Sequence, residues 1–82
     1  MKVRFFGTSS CVDCLEAFII LNKFDIDYDY INANDEREEI QSLCDDNNVD
    51  LLPHIQVIED DGTVIRELTG KITEDDMCTL LI

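Results

Sequence analysis

Apolar and polar positions along the chain follow two different periods, and each period predicts a type of element. A repeat near 3.6 residues predicts a helix, and a repeat of two predicts a strand. Residues 3–6 form an apolar run that ends at Gly7, which is typical of a strand inside a sheet. Residues 11–24 carry apolar side chains around most of a helical circumference. We therefore expect a first helix that is heavily buried.

The next block predicts an edge strand and a second helix. Across residues 25–31, Ile26, Tyr28 and Tyr30 alternate with three aspartates, and like charges on one face are typical of a strand at a sheet edge. Asp35 with Glu38 three residues later resembles a capping box, which predicts a helix start. This helix should end within residues 45–48. Its expected apolar stripe consists of Ile40, Leu43 and Cys44.

The last third of the chain predicts a hairpin and a short helix. Residues 55–58 form an apolar strand, Asp61-Gly62 is a strong turn signal, and residues 63–68 form the returning strand. Thr73 and Asp76 have the spacing of a capping box, so a helix should start there. The apolar residues expected on this helix and in its hydrophobic staple are Ile72, Met77, Leu80 and Leu81.

The predicted order of elements is therefore β-α-β-α-β-β-α. The first three form a parallel, right-handed β-α-β unit, and the hairpin adds two antiparallel strands. This order predicts an α/β fold in which helices lie on both faces of a four-stranded mixed sheet. The chain has 82 residues, which suits a single domain over residues 1–82.

Charge and hydropathy exclude several classes of partner. The chain carries 19 acidic and 6 basic residues and a net charge of −13, which argues against nucleic acid and anionic membranes. The acid excess serves either solubility or steering toward a basic partner. No apolar run approaches the roughly 18 residues of a membrane span. Met1-Lys2 leads into a strand pattern rather than a signal peptide, so we expect a cytoplasmic monomer.

A Cys-x-x-Cys pair stands where the first helix is predicted to begin. Cys11 and Cys14 follow a strand and the polar loop 8–10, which is the arrangement of a dithiol redox site. Unsatisfied N–H groups and the partial positive charge at a helix N-terminus stabilise a thiolate there. A second thiol one turn later can attack any mixed disulfide that the first one makes. We therefore expect Cys11 to be the nucleophile and Cys14 the resolving thiol.

The other two cysteines leave a metal site as an alternative. Cys44 and Cys78 could complete the four ligands of a zinc ion. Each falls beside apolar residues on its own predicted helix, and free cysteine is commonly buried, so we expect two core residues and no metal. A regulatory thiol is the alternative, more so at Cys78. For the protein as a whole, the alternative to an enzyme is a binding module, or a metal or iron–sulfur carrier that uses Cys11.

Two further motifs accompany the dithiol, and the three together resemble a known superfamily. Cys11-Val12-Asp13-Cys14 opens a helix, Leu52-Pro53 precedes the third strand, and Gly70 precedes the acidic helix start. The whole chain resembles the thioredoxin superfamily in its minimal form, most of all the glutaredoxins and small glutaredoxin-like redoxins. The resemblance implies a thiol-disulfide oxidoreductase in which Cys11 attacks and Cys14 resolves. It also implies a cis Pro53 beside the dithiol, with the Leu52 backbone binding the substrate's cysteine segment; an ordinary trans proline is the alternative.

The glutaredoxin resemblance also implies a glutathione site and an electron donor. Arg37 stands where glutaredoxins contact glutathione carboxylates, and the start of the last helix where they meet its γ-glutamyl end. A solvated arginine and a simple helix cap are the alternatives. We expect no bound cofactor. The expected electron donor is glutathione or a flavoprotein reductase. The expected substrates are protein disulfides, such as those of a ribonucleotide reductase. The candidate contact residues are Leu52, Pro53, Arg37, Gly70, Thr73, Glu74 and Asp75.

His54 follows the proline. We interpret it as a polar residue at the entry of the third strand, with proton transfer near the dithiol as the alternative.

Overall fold

The computed structural model describes residues 2–81, with side chains for residues 2–80. The predicted apolar side chain of Leu81 therefore lies outside the described part. The predicted order of elements is confirmed. These elements are β1 Lys2–Gly7, α1 Val12–Lys23, β2 Asp29–Asn32, α2 Glu38–Asp46, β3 His54–Ile58, β4 Val64–Thr69 and α3 Glu74–Leu81. None of the helices within residues 2–81 has the length and apolar character to cross a membrane.

The sheet has the strand order β2-β1-β3-β4 and is mixed, as predicted. β1 pairs with β2 in parallel and with β3 antiparallel, and β4 pairs antiparallel with β3. Side chains alternate between the two faces of a strand. Phe5 and Ile55 face a core shared with α1 and α3, whereas Gln56 faces the other way and donates to Asn47 at the end of α2. Helices therefore lie on both faces of the sheet.

α1 is far less buried than its composition suggests, so that expectation is wrong. Its buried residues are Cys14, Ala17 and Leu21, which recur every three or four positions and form a narrow contact line. In contrast, Val12 is 69% exposed and Ile19 is 66% exposed. The reason lies in the sheet, because β2 is an edge strand of only 4 residues and leaves the outer side of the helix uncovered.

The second strand is shorter than the predicted range 25–31, although it does lie at the edge of the sheet as predicted. Asp25 has φ 56° and Ile26 N–H donates to the Leu21 carbonyl, so these residues end α1 instead of pairing with β1. Ile26 and Tyr28 still pack against the core as partly buried residues. The alternating pattern therefore predicts the partial burial of Ile26 and Tyr28 correctly, but not the exposure of Tyr30, which is 46% exposed, and strand pairing begins only at Asp29.

The predicted capping box at Asp35 does not form. The Asp35 carboxylate accepts hydrogen bonds from the Arg37 backbone N–H and guanidinium, and these bonds lower the pKa of Asp35. Arg37 is the N-cap of α2 and makes no side-chain capping bond. α2 has no buried residue, and its expected apolar stripe is only partly buried. The helix therefore depends on few core contacts.

The hairpin and the last helix form as predicted. Gly62 has φ 92°, a conformation that glycine adopts without steric cost, and the Asp61 carboxylate accepts from Thr63 N–H. Thr73 and Asp76 cap each other reciprocally at the start of α3, with bonds of 3.1 and 3.2 Å. The staple residues Ile72 and Met77 are both buried in the core.

The capping box yields the first testable prediction. Thr73→Ala should lower the free energy of unfolding by about 1 kcal/mol, because the Asp76 N–H loses its acceptor at the start of α3. Urea denaturation followed by circular dichroism measures this, and Thr73→Ser is the control that keeps the hydroxyl. Equal stability of the alanine and serine variants would contradict the capping role.

Candidate active site

Cys11 is the N-cap of α1, between the polar loop and the helix. Its backbone is extended, with φ −92° and ψ 114°, and its sulfur accepts a hydrogen bond from the Cys14 N–H at 3.2 Å. The side chain is half-buried. A hydrogen bond from a backbone N–H and the partial positive charge at a helix N-terminus both favour negative charge on this sulfur. The structure therefore places a half-buried Cys11 sulfur at the start of α1, with a backbone donor directed at it.

Cys14 has the opposite environment. Its side chain is 3% exposed, and burial raises its pKa to about 11, with the hydrogen bond to Cys11 as a smaller cause. A backbone hydrogen bond from Thr8 opposes this shift in part. Both cysteines are free thiols in this structure. The dithiol is thus asymmetric, with one sulfur reachable and one held protonated against the strand.

Gly7 is a site residue that the sequence analysis did not identify. A methyl group at this position would lie 2.7 Å from Phe5 Cε1 and 3.2 Å from Cys14 Sγ. Glycine therefore permits the close approach of α1 to β1 that buries the second sulfur. The available signal was a glycine that ends an apolar strand directly before a dithiol loop.

Leu52-Pro53 lies beside the dithiol, and its peptide bond is cis as predicted. Cys11 Sγ lies 3.9 Å from the Leu52 carbonyl oxygen. The Gly70 N–H donates to the Pro53 carbonyl at 2.9 Å, since the pairing of β3 with β4 ends here. The structure thus brings Cys11, Leu52, Pro53 and Gly70 together at one end of the sheet.

The other candidate glutathione residues have partners elsewhere. Arg37 pairs with Asp35 at 2.9 Å and Glu39 at 3.4 Å, and its bond to Asp35 raises the pKa of Arg37. Thr73 is occupied by the capping box. Glu74 contacts Lys23, at the end of α1 about 18 Å along the helix from Cys11. The Asp75 carbonyl accepts from the Thr79 hydroxyl.

His54 begins β3, as predicted for a strand-entry residue. It is 2% exposed, its ring meets Phe6 edge-on at 5.6 Å, and its Nε2 lies 3.7 Å from Glu67. Neither ring nitrogen has a hydrogen-bond partner among the described residues. Because alternate residues face opposite sides, the ring lies on the face away from Cys14. This placement does not favour proton transfer to either thiol.

The two remaining cysteines do not both lie in the core. Cys44 is half-buried on α2, and burial raises its pKa. Cys78 is exposed on α3, so the expectation of a core residue is wrong there. Leu80 and Met77, its neighbours on α3, take the buried side of this short helix instead. Within the described side chains, no group of three or more potential ligands could hold a metal ion.

An apolar cavity of about 250 Å³ opens on the side of Cys14 away from the proline. It lies between α1 and the edge strand β2. Burial raises the pKa of the Tyr30 phenol, and the neighbouring charges of Cys14 and Cys11 raise it further. The residues that line it are Phe5, Thr8, Ser9, Cys14, Leu15, Phe18 and Tyr30.

Comparison with solved structures identifies the fold. Thioredoxin 1 from Thermosipho africanus TCF52B superposes with a TM-score of 0.72 at 18% identity, over 99% of this chain and 90% of its own. Thioredoxin O2 from Arabidopsis thaliana in its oxidised state gives 0.76 at 16% identity, over 98% of this chain and 70% of its own. A structure described only as a malarial protein gives 0.75 at 18% identity, over 96% of this chain and 90% of its own.

These similarities show that the chain has the thioredoxin fold, and they do not extend to the glutaredoxin part of the prediction. No protein-family model matches the sequence, and no curated protein matches it either.

The buried Cys14 predicts a specific dependence of stability on pH. Because the folded state raises the pKa of this thiol, it binds the proton more tightly than the unfolded chain does. This contribution to stability is complete below the ordinary thiol pKa and is lost as pH rises toward about 11. We expect the unfolding free energy of the wild type to fall more between pH 8 and pH 10.5 than that of Cys14→Ala.

Urea denaturation of the two proteins under a phosphine reductant measures this difference. Tyr28 and Cys44 titrate in both proteins, so their contributions cancel in the comparison. The contribution of Tyr30 cancels only in part, because the charge of Cys14 also raises the pKa of this tyrosine. Parallel declines with pH would show that Cys14 does not carry the effect.

Proposed function

We propose that this protein, given its thioredoxin fold, is a dithiol-disulfide oxidoreductase that reduces protein disulfides through Cys11 and Cys14. The observation that carries the proposal is the asymmetry of the two thiols. Cys11 lies at the helix start with a hydrogen bond to its sulfur from the Cys14 N–H, whereas Cys14 is buried with a raised pKa. Attack by an outer thiolate followed by resolution from an inner thiol requires this arrangement.

In the first step the Cys11 thiolate attacks one sulfur of the substrate disulfide. A bond forms between Cys11 and that sulfur, the substrate S–S bond breaks, and the second substrate sulfur leaves as a thiolate that takes a proton from water. The backbone of Leu52, close to Cys11, supports this step because it offers hydrogen-bonding groups to the substrate's cysteine segment.

In the second step Cys14 loses its proton and attacks the Cys11 sulfur. The Cys11–Cys14 disulfide forms, and the bound substrate sulfur leaves as a thiolate and is protonated. Two electrons have then passed from the protein dithiol to the substrate. The raised pKa of Cys14 keeps this thiol protonated until the mixed disulfide exists, which favours Cys11 as the entering sulfur.

The oxidised pair needs two electrons from a donor, for which we propose glutathione or a flavoprotein reductase. Both belong to a reducing cytoplasm, where we place the protein. The occupation of Arg37 by Asp35 and Glu39 weighs against a strong glutathione site. The net charge of −13 adds long-range repulsion of this anion, screened beyond roughly 8 Å at physiological salt. A reductase with a basic docking face is therefore the favoured donor.

The roles of the two thiols can be separated by substitution. Cys11→Ser should abolish reduction of insulin disulfides, because no outer thiolate remains. Cys14→Ser should form the first mixed disulfide and stop there, since nothing resolves it, and intact mass spectrometry should detect the adduct. Cys78→Ser, at an exposed cysteine on α3, is the control and should turn over at the wild-type rate.

Two outcomes of this experiment would count against the mechanism. Continued turnover by Cys11→Ser would show that Cys14 is the nucleophile. A wild-type protein that binds the substrate but reduces nothing would indicate the alternative function, a binding module without turnover.

The electron donor can be tested by the salt dependence of the recycling step. We expect glutathione to reduce the oxidised protein slowly, with a rate that rises as salt screens the repulsion. A flavoprotein reductase with a basic face should show the opposite trend. Dithiothreitol, which is uncharged near neutral pH, is the control and should respond little to salt. Fast glutathione turnover that falls with salt would reveal a positive site at odds with this structure.

A further inference from the structure

We propose that the cavity between α1 and β2 is a specificity site that receives one large apolar side chain of the substrate polypeptide. We further infer that lysine or arginine flanks this side chain in the substrate. The inference rests on the proposed oxidoreductase function and adds the class of substrate to it.

The size and lining of the cavity suit a single side chain. Its volume is about 250 Å³, whereas sites for small molecules and cofactors usually measure about 300–1,000 Å³. The floor is the buried ring of Phe5, and the walls are Leu15, Phe18 and Tyr30. Aromatic and aliphatic walls are typical of the pockets that hold anchor residues at protein interfaces.

The cavity lies on the opposite side of the dithiol from Leu52-Pro53. The strand order places β2 on one side of β1 and β3 on the other, so the cavity flanks Cys14 on the β2 side. Side chains three positions apart on a helix lie about 5–6 Å from each other, and an extended chain advances about 3.3 Å per residue. A substrate cysteine bonded to Cys11 thus places its first or second neighbour over the cavity.

The exposed apolar surface around the cavity supports a docking role. Leu15 is 53% exposed, Phe18 41% and Tyr30 46%, and Val12 and Ile19 extend the same side of α1. Contiguous exposed apolar groups of this kind mark interaction sites in soluble proteins. A substrate that covers them removes apolar area from water, which supplies binding energy.

The charge of the chain indicates which partner can cover this surface. The basic side chains are largely occupied, as Lys2, Lys23 and Arg37 pair with carboxylates and Arg66 donates to the last carbonyls of α3. With 19 acidic residues against 6 basic ones, the chain keeps a net charge of −13. Asp13, whose charge reaches Cys14, and the exposed Glu16 lie on α1 beside the apolar residues. A substrate segment with an apolar side chain and basic neighbours complements both the apolar surface of α1 and the negative charge around it.

A second copy of the chain is disfavoured as the occupant for the same reason. Two copies that met through α1 would bring together two bodies with a net charge of −13 each. Like charges held close together cost free energy at an interface. The apolar surface therefore favours a partner of opposite charge over a second copy of the chain.

Four peptide substrates can test this inference. Each carries one cysteine as a mixed disulfide with 2-mercaptoethanol, with phenylalanine or serine next to the cysteine, and lysine or glutamate on the flanks. Reduced protein in excess gives single-turnover rates by chromatography, without any added reductant. Bis(2-hydroxyethyl) disulfide, which has no apolar side chain, measures the rate of disulfide reduction without a contribution from the cavity.

The measured quantity is the ratio of the rates for the phenylalanine and serine peptides. We expect a ratio of at least about ten in the wild type, since burial of a large apolar side chain is worth that much. The lysine flank should be faster than the glutamate flank, by a factor that shrinks with added salt.

Two variants of the cavity wall keep the test independent of folding. Leu15→Ser opens the wall and Leu15→Trp fills the space, and both should bring the ratio close to one. Leu15 suits this purpose because Phe18 also packs against Phe5 and Tyr28. Ile65→Ser, at a residue 42% exposed on the far edge strand β4, is the matched control and should keep the wild-type ratio.

The possible failures are distinguishable. A wild-type ratio near one, with all peptides and the small disulfide reduced, would overturn the specificity site and leave the proposed function intact. An unchanged ratio in both Leu15 variants would do the same. Equal rates for lysine and glutamate flanks at low salt would overturn the inference that basic residues flank the apolar side chain of the substrate. No reduction of any disulfide would overturn the proposed function and this inference together.

Discussion

The close approach of α1 to β1 at Gly7 is the constraint on which the dithiol depends. A side chain at residue 7 would collide with Phe5 and crowd the sulfur of Cys14, so glycine permits this close approach of the helix to the strand. This contact buries Cys14 and raises its pKa. It also places the Cys14 N–H where it donates to Cys11. The absence of a side chain at Gly7 thereby permits the burial that distinguishes Cys14 from Cys11.

The features that the sequence predicted well are those whose signals are local. The dithiol at a helix start, the proline before β3, the Asp61-Gly62 turn and the Thr73 capping box each occupy a few consecutive residues. Their geometry follows from nearby backbone groups, so no knowledge of the tertiary structure is needed. The mixed character of the sheet also followed, because a β-α-β unit pairs its strands in parallel and a hairpin pairs them antiparallel.

Most of the features that the sequence could not predict depend on which elements pack together in the fold. The helix α1 has enough apolar residues for burial, but the short β2 does not cover them. Asp35 has the spacing of a cap, yet its carboxylate accepts hydrogen bonds from the guanidinium of Arg37 instead. Cys78 has apolar neighbours but points away from the core. For α1 and Cys78 the lack of a tertiary contact decides against the local pattern, whereas for Asp35 a competing contact only two residues away does so.

The exposed apolar side of α1 has a practical consequence for experiments on this dithiol. In neutral solution, mutual repulsion of the acidic surfaces keeps these apolar sides apart. The isoelectric point is about 4.1. Acid quenching is a routine way to stop thiol exchange, and it takes the sample through the pH range around this isoelectric point. There the repulsion vanishes while Val12, Leu15 and Ile19 remain exposed. Acid-quenched samples should then self-associate, whereas quenching by alkylation at neutral pH keeps the protein dispersed.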